Sequence, residues 1–428
     1  MWTEITKCRL CGSPNLEEVF SLGKQVVKDF LNSPNDSSKK GPLILVLCKE
    51  CGFLQLKHTF SKDYLYTHYW YRSSTSPTME RELSNIVKSA VERVNLNSGD
   101  YVIDIGSNDG TLLRQYSDNL LNKIGYEPSN LWQYGLTSGS IIINDYFNIK
   151  SFTEKFPEKR AKIITSIAMF YDLDNPNEFV KDINAALHPE GIWIVQMNYL
   201  GLMLKNLGYD NICHEHVGYY ALGTMQYLLE KHDMDVFDVE LNNVNGGSFR
   251  LYIKHSGDKT KKVNTDAINN ILYAEEKMRI SKISTYVEFS NKIKMQRIQL
   301  NALLTELIKK KNKIMIYGAS TRGLVILEYC GIDSKIIQYA TDKNSDKWGK
   351  YLSGTGIKII SLKEYRKFKP DYLLVLPYQY LPEIAAQERE FLDGGGGLII
   401  PLPNPKIYYR DDFISARPLD FLKGYDEM

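Results

Sequence analysis

Val102-Ile103-Asp104-Ile105-Gly106-Ser107-Asn108-Asp109-Gly110-Thr111 runs from an apolar strand through a glycine turn into the start of a helix. Tyr101–Ile105 is largely apolar, as a strand buried on both faces should be. The glycines at 106 and 110 let the backbone pass close to a ligand, as dinucleotide folds do. Outward from this stretch the apolar spacing keeps changing period. Ser76 to Val94 carries Met79, Leu83, Ile86, Ala90, Val91 and Val94 mostly three or four apart, which predicts a helix. Thr111–Tyr116 reads as a second helical piece. Lys123–Glu127, Ile141–Asn144, Lys162–Ile167 and Ile192–Gln196 predict further strands. The alternation predicts an α/β fold with a doubly wound, mostly parallel sheet.

A chain of 428 residues exceeds what one core usually holds. Residues 263–310 contain neither Pro nor Gly and read as a helical connection. A second α/β unit begins at Lys313-Ile314-Met315-Ile316-Tyr317-Gly318, with strands expected near Ile336–Tyr339, Tyr372–Leu376 and Leu398–Pro401. The expected division is a small head over 1–70, a core over 71–262, the connection over 263–310 and a C-terminal unit over 311–428. Lys plus Arg number 53 against 51 acidic residues, so neither nucleic acid nor an anionic membrane is expected as a partner. The opening residues lack a basic stretch followed by an apolar run, and runs such as Leu43–Cys48 are too short to span a bilayer. A cytoplasmic protein, monomeric or homodimeric, is the expectation.

Cys8-Arg9-Leu10-Cys11-Gly12 is answered by Cys48-Lys49-Glu50-Cys51-Gly52. Two such knuckles complete a tetrahedral shell of four thiolates, which suits zinc. No coordination position is left open, so the metal should be structural. It would hold together a piece too small to build its own core. Cys213 and Cys330 read as small core residues.

The 102–111 loop is spaced GxxxG, not GxGxxG, and resembles motif I of the class I S-adenosylmethionine methyltransferases. On that resemblance Gly106, Asn108 and Gly110 shape the cofactor turn, and Asp104 stands where a carboxylate accepts from the donor's ammonium. Glu127 ends the next strand, where an acidic group can hold a ribose diol. Asp145, with Asn144, follows the third strand and could meet the adenine amine. A Rossmann unit binding NAD is less favoured, because the glycine triplet of the dinucleotide pattern is missing.

Asn211-Ile212-Cys213-His214-Glu215-His216-Val217-Gly218-Tyr219-Tyr220 sets two of the seven histidines beside a carboxylate. It follows a strand that should leave the sheet at its carboxyl edge, where ligands of such folds sit. An imidazole can take a proton, and a neighbouring Glu can orient it or balance its charge. Methylation at carbon needs such a base, since a carbon acid beside a ketone must become an enolate before it attacks a methyl. Half of a metal site, or a polar surface turn, fits the same residues.

Five motifs now stand in order: the CxxCG pair, the Asp104–Thr111 loop, His214-Glu215-His216 with Tyr219-Tyr220, Asn245-Gly246-Gly247-Ser248, and Tyr317-Gly318-Ala319-Ser320-Thr321. Together they resemble the sugar C-methyltransferases of deoxysugar biosynthesis. The resemblance spans nearly the whole chain. It implies a zinc-binding head, a methyltransferase core and a C-terminal Rossmann-like domain, with S-adenosylmethionine as donor and a nucleotide-linked keto-sugar as acceptor. It makes His216 the general base, supported by Glu215, and puts the Tyr71 phenol near the substrate. Substrate positioning is expected from Tyr71, His214, Asn198 and the 318–323 loop, where Ser320 and Arg322 beside a helix start would suit a diphosphate. Two departures stand out. Family members carry Tyr where this chain has Cys213, and their Leu-Gly-x-x-Pro-Leu-Ala-Asn stretch reads Leu22-Gly23-Lys24-Gln25-Val26-Val27-Lys28-Asp29 here. Cys213 leaves room for an O- or N-methyltransferase; a non-catalytic adenosine-binding zinc scaffold is the alternative from another class.

Overall fold

The computed structural model describes residues 2–27, 30–36, 38–66, 69–117 and 121–414, so Lys28 and Asp29 of the departing stretch lie outside the described residues. Tyr101–Ile105 is an interior strand of a seven-stranded sheet. On one side of it lie Asn122–Tyr126 and Ile141–Ile143; on the other lie Ala161–Ile167, Leu187–Asn198, Ser248–His255 and Met234–Asn242. The first five pair in parallel, while Ser248–His255 runs antiparallel between its two neighbours. Parallel neighbours need crossovers, and their direction reverses at Tyr101–Ile105. A crevice therefore opens at the carboxyl end of that strand.

Pro77–Arg93 forms the predicted helix, with the Ser76 side chain accepting from the Met79 amide and Pro77 opening the first turn. Met79, Leu83, Ile86, Val87 and Ala90 are buried, each large side chain contributing about 1.5–3 kcal/mol. The helix after the glycine turn is short, Thr111–Arg114. The strand expected at Ile192–Gln196 extends over Leu187–Asn198.

The expected boundaries are crossed by strand pairing. The head's sheet consists of Leu16–Val26, Lys40–Cys48, Leu54–Leu56 and Gly218–Tyr219, the last arriving directly after His216. Phe30–Leu31 leaves the head to pair with Tyr351–Leu352 at the edge of the eight-stranded C-terminal sheet. The stretch 263–310 is two helices, Thr265–Met278 and Ile283–Lys309, separated where Arg279 takes a left-handed conformation at φ 52°. Ile268 and Ile271 of the first pack into the core around the central sheet, whereas Phe289, Ile293, Leu300, Leu304 and Leu307 of the second pack with the C-terminal unit. The strand expected from Ile336 starts at Tyr339, because the Asp333 carbonyl collects the amides of Ile336 and Ile337 in a turn. Among the described residues no helix is long and apolar enough to cross a membrane.

Candidate active site

At the crevice lies a cavity of about 320 Å³ whose walls include Asp104, Gly106, Asn108, Glu127 and Asp145. Gly106 and Gly110 hold φ of 73° and 74°, which L side chains rarely adopt. A Cβ on Gly110 would also stand 2.9 Å from the Ser138 Cβ, so this glycine shapes the turn from behind the cavity wall. Both carboxylate oxygens of Glu127 are fixed: Oε2 accepts from the Asn108 amide at 2.8 Å and Oε1 from the Ser129 amide at 2.9 Å. Asp104 accepts from the Thr165 hydroxyl at 2.6 Å, yet burial pushes its carboxyl up to about 7. Asp145 is exposed at the rim, its Oδ1 accepting the Tyr146 amide. Ser107 Oγ is buried in the same wall without a partner. Three carboxylates at successive strand ends, a glycine turn and an orphaned hydroxyl fit a ligand carrying an ammonium and a diol. S-adenosylmethionine has both, and when bound it supplies an electrophilic methyl on a sulfonium.

The segment 69–75 lies over this turn like a strap. The amides of Tyr69, Ser73 and Ser74 donate to Asn130 Oδ1, Asn108 Oδ1 and Asp109 Oδ2, and Asn108 Nδ2 donates back to the Tyr71 carbonyl. Tyr66, Tyr69 and Tyr71 thereby line the cavity, with Tyr71 still 41% exposed and beside Tyr380.

His216 is 8% exposed, and its Nδ1 lies 2.8 Å from the Asn211 carbonyl. A carbonyl only accepts, so Nδ1 carries the proton and Nε2 keeps a lone pair. Burial, then the charge of Arg322, holds the ring down to about 3. Side-chain ligand atoms of Cys213, Glu215 and His216 lie within 4.8 Å of one another. The His216 ring is not itself a cavity wall. It packs against Tyr171 with centroids 4.1 Å apart, and Met169 and Asp172 on either side of Tyr171 do line the cavity. His214 is not brought there. Its Nε2 meets the Gly41 carbonyl at 3.1 Å and its ring meets Phe60 at 4.4 Å, inside the junction with the head.

The C-terminal loop reaches the core through Arg322, whose Nε donates to Asp210 Oδ2 at 2.8 Å and whose Nη1 donates to the Asn245 carbonyl at 2.5 Å. Asn198 Nδ2 donates to that same carbonyl at 2.8 Å. The hydroxyls of Tyr378 and Tyr380 donate to Asp210 Oδ1 and Asn245 Oδ1. Ser320 Oγ accepts the Gly323 amide and caps the helix Thr321–Cys330. Arg322 and Asn198 therefore bind protein partners. Asp210, Asn245, Tyr378 and Tyr380 were not singled out as site residues. A signal for one of them was the Asn245-Gly246-Gly247 run, whose φ of 54°, 85° and 125° explains its glycines.

In the head, Cys8 and Cys51 sulfurs stand 3.6 Å apart and Cys11 and Cys48 sulfurs 3.5 Å apart, with all four within 4.8 Å of one another. Bonds of about 2.3 Å to a tetrahedral zinc would need sulfurs roughly 3.8 Å apart, so the thiolates fit that ion. Gln55 Nε2 donates to the Cys8 sulfur at 3.2 Å.

Three family models match in succession: a "Putative zinc binding domain" over residues 8–66, a "Methyltransferase domain" over 78–239 and a "C-methyltransferase C-terminal domain" over 243–403. The chain is 30% identical over 408 residues to C-methyltransferase NovU of Streptomyces niveus, covering 94% of this chain and 97% of that one. Among solved structures, an S-adenosylmethionine-dependent methyltransferase from Clostridium acetobutylicum is 13% identical, covering 42% of this chain and 92% of its own, with a TM-score of 0.32. Magnesium protoporphyrin IX methyltransferase from Synechocystis is 10% identical, covering 41% and 83%, also with a TM-score of 0.32. With identity sustained across almost the whole of both chains and the three domains in order, this protein belongs to the family of S-adenosylmethionine-dependent C-methyltransferases that includes NovU.

Proposed function

We propose that the acceptor is a nucleotide-linked keto-sugar and that His216 removes the proton from the carbon beside its ketone. The observation that carries this reading is the tautomer of His216. The Asn211 carbonyl accepts a hydrogen bond from Nδ1–H, which leaves the lone pair on Nε2 of a buried ring close to Glu215. As the C–H bond breaks, its electron pair forms the C=C bond, the carbonyl π pair moves onto oxygen and the proton goes to Nε2. The carbon of the resulting enolate then attacks the methyl, and the pair of the broken S–C bond stays on sulfur. Asp104, Glu127 and Asp145 hold the donor, and Tyr71 covers the reacting end. The nucleotide lies against the helix start at Ser320–Gly323, where backbone amides favour a diphosphate, while Arg322 stays with Asp210 and Asn245.

A panel of nucleotide keto-sugars incubated with donor should show, by mass spectrometry, the gain of one methyl on at least one member. Solvent deuterium should enter that sugar even without donor, and His216→Asn should abolish both while still binding donor. Full turnover in His216→Asn rejects the base assignment.

A further inference from the structure

The enolate proposed above needs a partner for its oxygen, and the residue directly before the His214-Glu215-His216 run is a thiol, Cys213. Cys213 is buried, and burial raises its thiol well above the ordinary range, so it is a weak donor. A different pair of groups is unspent. Asp172 ends the turn Phe170–Asp172 directly after the strand Ala161–Ile167, at the carboxyl edge of the sheet. Tyr66 ends the helix Lys62–Tyr66 and stands beside Asp172. Both line the cavity that holds Gly106 and Glu127. Asp172 Oδ1 and the Tyr66 hydroxyl are each inaccessible to bulk water and without a hydrogen-bond partner. They are near enough to perturb each other's ionisation, yet they make no bond of ordinary geometry with each other. Two unsatisfied buried polar groups facing one cavity cost stability unless a ligand meets them.

Resting on the keto-sugar reading, we propose that the Asp172 carboxyl and the Tyr66 hydroxyl are the oxyanion donors of this enzyme. Both donate hydrogen bonds to the acceptor's carbonyl oxygen as it takes up negative charge. Asp172 must be neutral to donate, and its surroundings keep it so. Burial, then the Glu215 charge, raises its carboxyl well above the ordinary range, against smaller lowering by Tyr66 and by Lys62. Tyr66 is raised too, by burial and by Asp172 and Glu215, so it stays a phenol. A neutral carboxylic acid paired with a phenol stabilises an enolate better than water, because its dipoles are already aligned. Both groups also lie near the proposed base, since Glu215, whose ligand atom is within 4.8 Å of that of His216, acts on each of them.

The test is deuterium exchange into the keto-sugar without donor, so that only enolisation is read. Asp172→Ala and Tyr66→Phe should each slow exchange by about 10²–10³-fold, the usual loss for one oxyanion donor. Donor binding by calorimetry should stay at the wild-type value and the ligand-free thermal midpoint at or above it, reporting an intact fold. Asp172→Asn keeps a donor in place and should retain exchange within about tenfold of wild type. It should also lose the fall in rate that the wild type shows at high pH as Asp172 ionises. Exchange at the wild-type rate in Asp172→Ala, or in Asp172→Asn as slow as in Asp172→Ala, overturns the assignment. If the wild type itself exchanges no proton from any sugar in the panel, the keto-sugar reading fails first.

Discussion

Arg322 and Asp210, 112 positions apart, meet with Nε 2.8 Å from Oδ2, and the Asp210 side chain is 0% exposed. This pair joins the C-terminal unit to the residues that precede the base loop. The same guanidinium holds Asn245, a wall of the donor cavity, and its charge reaches the ring of His216. Interdomain contact and the proposed base therefore share one cation.

Removing that cation should be expensive. Arg322→Met leaves a buried carboxylate unpaired, and the expected loss of stability is about 3–5 kcal/mol, read from the urea midpoint. Arg322→Lys keeps the charge but cannot reach Asp210 and Asn245 together, so it should fall between. An unchanged midpoint in Arg322→Met would show that the pair does not join the units.

The donor site should be most sensitive at Glu127. Its two oxygens each take a backbone amide, so Glu127→Gln turns an NH₂ group against one of them. Affinity for S-adenosylmethionine, measured by calorimetry, should weaken by about 10–100-fold. Gly110→Ala should cost at least as much, because it combines a left-handed backbone with a 2.9 Å contact to Ser138.

Acid stability should report the buried imidazoles. Burial holds His214 down to about 4 and His216 down to about 3, whereas an unfolded imidazole takes up its proton near 6.5. Between those values the unfolded state binds more protons, so stability falls as pH falls from about 6.5 towards 4, by up to about 1.4 kcal/mol per pH unit per ring. His214→Gln can still donate to Gly41 and should lose one ring's share of that slope. Chemical denaturation of both proteins at pH 6.5 and 4.5 measures the difference.

Zinc content by mass spectrometry should be about one ion per chain. Chelation, or Cys48→Ser, should lower the thermal midpoint and, beyond that, cut turnover. The reason is structural: Gly218–Tyr219, directly behind His216, is a strand of the head's sheet. Donor binding should survive, because Glu127 and Asp104 stand on the central sheet. Full turnover by the metal-free chain would show that the head does not support the base.

Much of this was legible in the chain. The period of the apolar residues predicts the central strands within a few residues, and the glycines at 106 and 110 stand where the backbone demands them. The cysteine spacing places four sulfurs together. His214 was less legible, since neighbouring histidines look alike until Gly41 and Phe60 claim one of them. Arg322 looked free for a diphosphate because its partner lies 112 residues upstream.

Local patterning, by itself, determined the α/β architecture, the glycine turn at 106–110 and the four-cysteine cluster, because each depends on residues a few positions apart with short-range geometry. Tertiary structure alone decided which imidazole is pinned as a single tautomer, which arginine is consumed, and that Asp172 and Tyr66 face one cavity. Those outcomes depend on burial and on partners distant in sequence, and both arise only when strands from all three parts of the chain share sheets.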